Sequence, residues 1–133
     1  MNDTDRNALH RTVIRRLFEE YLSRGDDILD AIVAPEFVNT FTGIGGPAGL
    51  ASARAFLTRT FADLEITLDA VVADGDLVAA RWHLRGEQVG PFRGTPPQPG
   101  RVEVSQLSMY RMVDGRIAQS WVEAGAPRPV TSP

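Results

Sequence analysis

The sequence predicts an α+β domain in which helices come first and a mainly antiparallel sheet follows. Three observations lead there. Apolar residues recur at helical spacing in the first half of the chain, the period changes to two at Leu64, and short turns at Asp74-Gly75-Asp76 and Asp114-Gly115 join long alternating runs. The expected order is helix, helix, strand, helix, then four strands (α-α-β-α-β-β-β-β). With 133 residues this is one domain. The sheet is expected to curl around the helical layer and leave a pocket between them.

Each element has a local reason. Leu9, Val13, Ile14, Leu17, Tyr21 and Leu22 form one apolar stripe, with Asp3, Thr4 or Asp5 as possible caps and Gly25 as a stop. A short second helix from Asp26 or Asp27 to Val33 buries Ile28, Leu29, Ile32 and Val33. It ends at Ala34-Pro35, because a residue before Pro avoids the α region. Glu36 to Thr42 reads as a strand, and Gly43 to Gly46 as a loop. Pro47 suits the first turn of a third helix carrying Leu50, Ala53, Phe56, Leu57 and Phe61.

Leu64, Ile66, Leu68, Ala70 and Val72 then alternate with Glu65, Thr67, Asp69 and Val71, the pattern of a half-buried strand. Leu77 to Glu87 is a second strand, with Val78, Ala80, Trp82 and Leu84 on one face and Arg81, His83 and Arg85 on the other. Gly90 to Gly100 holds four prolines and is a loop. Arg101 to Val113 and Arg116 to about Glu123 are joined by Asp114-Gly115, a strong hairpin signal. The tail from about residue 126, with Pro127, Pro129 and Pro133, reads as flexible.

Composition removes several function classes. Hydrophobic residues make up 43% and charged residues 23%, ordinary for a globular domain. The net charge of -3 supplies no basic stripe, so no nucleic-acid partner is expected. No apolar run is long enough to span a membrane, the polar segment from Met1 to Arg16 has no signal-peptide core, and a cytoplasmic location is expected. Cysteine is absent, which excludes disulfides and thiolate chemistry; lysine is absent, which excludes a lysine Schiff base.

Local motifs add little. His10 and His83 lack metal-ligand spacing and read as surface or structural residues, and no GxSxG elbow is present. The Gly43–Gly46 run lacks the Lys of a phosphate-binding loop. Asp26-Asp27 and Asp74-Gly75-Asp76 lack calcium-loop spacing. Trp82 and Trp121 fall on strand faces where apolar residues dominate; they read either as core packing or as a flat wall for an apolar ligand. Gln106, Ser108 and Tyr110 share a face with Val102 and Val104, which suits either a pocket mouth or an ordinary sheet margin.

The element order and several strings together resemble the SnoaL-like polyketide cyclases, from about Val13 to Glu123. The strings are Ala34-Pro35-Glu36-Phe37-Val38, Gly46-Pro47-Ala48-Gly49-Leu50, Phe61-Ala62-Asp63-Leu64 and the run from Asp74 to Trp82. They continue with the runs from Gly90 to Pro97 and from Tyr110 to Ile117, then Trp121. The resemblance implies the cone-shaped α+β fold of the superfamily that includes ketosteroid isomerase and nuclear transport factor two. It also implies a homodimer or tetramer, a deep apolar pocket, and ring closure of a polyketide by intramolecular aldol condensation with no metal or cofactor. Relatives run other reactions in the same pocket, and some only bind.

The chain departs from the family pattern where members often carry acid/base residues. Val38-Asn39-Thr40 stands where a His is frequent, Gly86-Glu87-Gln88 stands for Gly-Thr-His, and Gly125 replaces an acid past the last-strand Trp. Glu123, two residues past Trp121, is the candidate catalytic acid/base or else a solvated strand end. Tyr21 is the candidate proton donor or else a core residue. Asn39, Gln88 and Gln106 cannot transfer protons usefully but can orient a carbonyl or stabilise an enolate. With Trp82, Trp121 and Tyr110 they form the expected substrate-binding set. Asp63 reads as a residue that terminates local structure. Two functions follow: a cofactor-independent cyclase-type enzyme acting on a bulky apolar metabolite, or a hydrophobic ligand-binding or dimerisation module of the same fold.

Overall fold

The computed structural model describes residues 2–21, 28–40 and 42–130, with the side chain of Tyr21 and the segment Leu22–Asp27 outside that description. Helix α1 spans Asp3–Arg16 and runs into a π-helical turn, Leu17–Tyr21. Its cap is Asn2, whose Oδ1 accepts from the Asp5 amide at 2.8 Å, one position earlier than the caps expected. Acidic residues fill the first turn and basic ones the last, as the helix dipole favours. The buried stripe is His10, Val13, Ile14, Leu17 and Phe18, whereas Leu9 stays exposed. Fully burying side chains such as Ile14 or Leu17 stabilises by roughly 1.5–3 kcal/mol each. His10 takes an inward position because it has a partner there: its Nδ1 lies 2.8 Å from the Gly75 carbonyl oxygen. Asn7 Oδ1 accepts from the Gly75 amide at 3.0 Å, so α1 holds both backbone groups of one turn residue.

Helix α2, Leu29–Ile32, is short and ends as Ala34-Pro35 requires. The next residue, Val33, pairs in parallel with Ile117, and the Ala34 amide donates to the Ile117 carbonyl at 2.9 Å. Among the described residues of the stretch Glu36–Thr42, the expected strand is reduced to one bridge, Val38 to Gly45, and the Asn39 carbonyl accepts from the Gly43 amide. Phe37 is buried at its centre, and helix α3, Pro47–Thr60, lies on it. Gly49 permits that approach: a Cβ there would lie 2.9 Å from Phe37 Cε1 and 2.6 Å from the Ile44 carbonyl oxygen.

The sheet comprises β1 (Phe61–Asp74), β2 (Leu77–Gln88), β3 (Arg101–Val113), β4 (Arg116–Ala124) and β5 (Arg128–Pro129). It runs in the order β1-β2-β3-β4, with every neighbouring pair antiparallel. Phe61, expected to end α3, begins β1 instead. The Asp114-Gly115 turn forms with both residues at positive φ (52 and 76°), the geometry that matches strand twist.

Sheet and helices enclose one core, from Ile14, Leu17 and Phe37 on the helical side to Val78, Leu84, Val102, Val104 and Ile117 on the sheet. Among the described residues, no helix is long and apolar enough to cross a membrane. Residues 126–130, expected to be loose, extend along β3: β5 pairs with Val102 and Glu103, and the Val130 amide donates to the Arg101 carbonyl at 2.9 Å. The reason is an open edge. Strand β4 pairs with β3 only as far as Gln106, and the tail occupies the stretch beyond it.

Two bulges shape β1. Between Ala62 and Glu65 the register against β2 slips by one residue, and Asp63 sits there at φ 51°. A second slip, between Leu68 and Ala70, reverses the facing of the residues after it. Val71 and Ala73 turn inward and Val72 is exposed, the opposite of simple alternation. Gly86 lies opposite the first bulge with no room for a side chain; a Cβ there would lie 2.9 Å from the Ala62 carbonyl oxygen and 3.1 Å from Phe61 Cβ. Gly86→Ala is therefore expected to destabilise by about 1–3 kcal/mol through overpacking. An unchanged urea midpoint would show that the bulge yields without cost.

Candidate functional site

The central pair β2–β3 stays in unbroken register from Leu77 opposite Arg111 to Glu87 opposite Arg101. Alternation therefore puts Val78, Ala80, Trp82, Leu84 and Gln88 on the inner face of β2, and Val102, Val104, Gln106, Ser108, Tyr110 and Met112 on that of β3; all are buried. Three consecutive inner positions of β3 are polar. Trp82 stands directly opposite Gln106, and its Nε1–H donates to Ser108 Oγ at 2.9 Å. Phe18 from the π-helical turn meets the Trp82 ring edge-on, with centroids 5.1 Å apart.

Gln106 is 5% exposed, and its Nε2 has no hydrogen-bond partner among the described residues. A buried amide donor left so costs free energy unless something in the interior accepts from it. The neighbouring strand is less covered. Opposite Tyr110, Ser108 and Gln106, β4 carries Ser120, Val122 and Ala124, small side chains that remain half-buried while their partners are buried. The polar row of β3 thus borders a thinly covered margin of the cone's interior.

The structure separates the two tryptophans. Strand β4 slips by one residue against β3, with Ile117 opposite Met112 and Gln119 opposite Arg111, so Ala118 is extra. The slip turns Gln119, Trp121 and Glu123 to the outer face. Trp121 lies opposite Met109, 41% exposed, with the Arg111 guanidinium 5.8 Å from its ring centre. Glu123 is exposed beside Leu107. Trp82 therefore faces the core, as one of its two readings has it, while Trp121 lies on the outer face and Glu123 is the solvated strand end of its alternative reading.

The remaining candidates hold loops. Asn39 Nδ2 donates to the Gly49 carbonyl at 3.0 Å and lies 3.3 Å from Ser52 Oγ, tying the 39–46 turn to α3. Gln88 Nε2 donates to the carbonyls of Gly90 and Thr95, at 3.0 and 2.9 Å, and pins the Pro-rich loop; its Oε1 is buried without a partner among the described residues. Tyr21 is placed at the end of the π-helical turn, and its side chain lies outside the described residues. Ser108, grouped by sequence with Gln106 and Tyr110 but assigned no role, is the residue that accepts from the Trp82 indole; only the three-dimensional pairing of β2 with β3 shows it.

The outer face carries different chemistry. A groove of about 440 Å³ is lined by Arg85, Glu103, Arg128, Pro129 and Val130. The hydrogen bond from Arg85, 2.9 Å from Glu103, holds that carboxyl below its ordinary range, with smaller help from His83 and Arg128. His83 Nδ1 lies 2.8 Å from Asp69 Oδ2 nearby. These pairs satisfy one another across strands.

The family model described as SnoaL-like polyketide cyclase matches residues 12–124. The chain belongs to this family. It is 34% identical over 100 residues to the nogalonic acid methyl ester cyclase of Streptomyces nogalater, covering 71% of this chain and 73% of that protein. Among solved structures, TsrD from Streptomyces laurentii superposes with a TM-score of 0.74 at 30% identity, covering 88% of both chains. IdmH from Streptomyces antibioticus gives 0.68 at 28% identity, covering 86% of this chain and 91% of that one. The SnoaL-like fold thus accounts for the helices, the curved sheet and the enclosed face on which Gln106, Ser108 and Tyr110 lie.

Burial pushes the Tyr110 phenol up to about 12, with the Ser108 hydrogen bond pulling the other way. The unfolded chain ionises this group near its ordinary value of about 10. Between those two pH values the unfolded state releases a proton that the folded state keeps. Stability intact below about pH 10 is therefore expected to fall by on the order of 2–3 kcal/mol as pH rises to about 12. Tyr110→Phe removes that decline. Urea unfolding of both proteins across this range checks it, and equal slopes would show that Tyr110 is not the group responsible.

Proposed function

We propose that this SnoaL-like protein binds a bulky, largely apolar polyketide-like metabolite in the cone's interior and assists its ring closure without a cofactor. The observation that carries the reading is the Gln106 amide nitrogen, which has no hydrogen-bond partner among the described residues and lies buried opposite Trp82 and bordered by the small residues of β4. An apolar wall with one unspent donor suits a ligand that is mostly hydrocarbon and bears a carbonyl. When a carbon next to that carbonyl loses its proton, charge builds on the oxygen, and a fixed donor stabilises it. The cyclase named for nogalonic acid methyl ester, 34% identical, points to the same reaction class.

The other reading is a non-catalytic ligand-binding module, and one observation favours it. Among the described residues, Tyr110 is the only titratable side chain on the buried inner face of the sheet. The two are separated by incubating the protein with nogalonic acid methyl ester in buffer alone. Ring closure gives a product of unchanged mass and new retention time. Gln106→Leu is expected to lower kcat/KM on the order of 100-fold. If the ester binds and is recovered unchanged, the module reading takes its place.

The outer face supports a partner of the same kind. Leu107, Met109 and Trp121 form an exposed apolar strip flanked by Arg111 and Glu123, and we assign it to pairing with a second copy of the chain. Light scattering is expected to give twice the 14.5 kDa chain mass, and Met109→Glu is expected to give the single-chain mass. A single-chain mass for the unaltered protein removes the assignment.

A further inference from the structure

We propose that the outer-face groove lined by Arg85, Glu103, Arg128, Pro129 and Val130 binds a singly charged carboxylate with a compact apolar body, and that the docked tail supplies one wall of the site. The groove lies on the opposite face of the sheet from Gln106, so this site is independent of ligand binding in the interior.

The lining comes from two parts of the chain. Arg85 and Glu103 are cross-strand partners in the unbroken β2–β3 register. Arg128, Pro129 and Val130 belong to the tail, which pairs with Val102 and Glu103 and is held by the Val130 amide, 2.9 Å from the Arg101 carbonyl oxygen. Gln98 Nε2 donates to the Pro127 carbonyl at 3.1 Å and fixes the tail from the Pro-rich loop. The enclosed volume of about 440 Å³ is within the range of small-molecule sites.

The charges of the lining do not cancel, since two guanidiniums accompany one carboxylate. Arg85 Nε donates to Glu103 Oε1 at 2.9 Å, so Glu103 has its partner. Arg128 stands differently. Its Nη2 lies 4.0 Å from Glu103 Oε2, beyond hydrogen-bond distance, and its side chain is 69% exposed. The Arg128 fork therefore keeps its donors for a ligand at the groove.

That fork selects the ligand class. A planar guanidinium matches a carboxylate through two parallel N–H···O bonds. Glu103 in the same wall repels a doubly charged anion more than a singly charged one. Pro129 has no N–H and Val130 gives its own to Arg101, so the wall beside Arg128 offers apolar surface and no backbone donor. The ligand body that fits there is apolar. The strip assigned to a second copy begins at Leu107, four residues along β3 from Glu103 and about 13 Å away, and shares no residue with the groove.

Three of the five lining residues belong to the tail, so a ligand that needs the docked tail stabilises its docking. The Val130 amide reports that docking directly.

The test titrates the full-length protein with sodium 2-naphthoate by calorimetry and follows amide exchange at Val130. Saturable binding is expected, weakening as salt is raised from roughly 50 to 500 mM. Arg128→Gln is expected to weaken it by about 10–100-fold, the loss of a charge-assisted pair. Arg116→Gln, the same loss of charge on the exposed hairpin at the start of β4, is expected to leave the affinity unchanged. With naphthoate at about ten times its Kd, exchange at Val130 is expected to slow about tenfold. Should Arg128→Gln release the tail, seen as lost Val130 protection without ligand, Arg128→Lys keeps the charge but not the fork and is expected to weaken binding by roughly threefold. Saturable binding that neither Arg128 variant weakens, with Val130 exchange unaltered, overturns the groove assignment and leaves the interior reading standing. No saturable binding to the unaltered protein overturns the groove assignment as well.

Discussion

The unbroken register of β2 against β3 is the constraint on which the rest of the molecule depends. Eleven residue pairs from Leu77 to Glu87 face their partners without a slip, so inner and outer positions alternate strictly along both strands. That regularity places Trp82 opposite Gln106 and within one diagonal step of Ser108. A slip of a single residue in β3 would have sent Gln106, Ser108 and Tyr110 to the outer face and Leu107, Met109 and Arg111 inward. The flanking strands absorb the curvature instead. Strand β1 bulges at Asp63 and again near Asp69, β4 bulges at Ala118, and each bulge lets the sheet bend while its centre stays in phase.

The chemistry of the two faces depends on where those bulges fall. The Ala118 slip removes Trp121 and Glu123 from the interior and replaces them with Ser120, Val122 and Ala124. A large aromatic and a carboxylate would have filled or charged the space beside β3; three small side chains keep it narrow-walled and neutral. The helices close the other side. His10 and Asn7 fix α1 to the β1–β2 turn through both polar groups of Gly75, and Phe18 reaches the Trp82 edge from the π-helical turn after α1. Most buried polar groups of this interior are thus fastened to the backbone or to one another; on the β2–β3 face, among the described residues, the Gln106 amide nitrogen and the Gln88 amide oxygen are the exceptions.

Much of this was legible in the sequence wherever the period was clean. The faces of β2 and β3 were readable from Val78 to Leu84 and from Val102 to Tyr110, and the Asp114-Gly115 hairpin from its two residues alone. What alternation could not reveal was its own interruption. Nothing in Ile117-Ala118-Gln119 marks a bulge, since Ala is acceptable on either face, so Trp121 and Glu123 read as inward. Val71 and Val72 posed the same problem, two similar residues of which the slip near Asp69 buries one. The segment after Pro35 looked like a strand because Phe37 and Val38 are apolar and β-forming, but only Phe37 is buried, and Asn39 draws the chain into a turn. The tail read as loose from its prolines. Its pairing depends on the length of β4, a property of another element.

An interior with so few titratable groups constrains the chemistry it can support. A neutral amide and a neutral phenol cannot remove a proton at ordinary pH, but both can hold an oxygen on which charge is growing, and they do so without reorganising. Holding two parts of one chain in reacting geometry contributes further, because the entropy of bringing them together is lost on binding and not at the barrier. Both effects need rigidity more than acidity. Rigidity is what the Trp82–Ser108 bond contributes, and burial raises its value, since each polar group withdrawn from water interacts more strongly with the few partners left to it. A site of the proposed kind would select for ligands whose reactivity is already present and whose conformation is the obstacle. Under the proposed reading, a flexible chain carrying several carbonyls fits that description, and the polar row of β3 is the surface that would fold it.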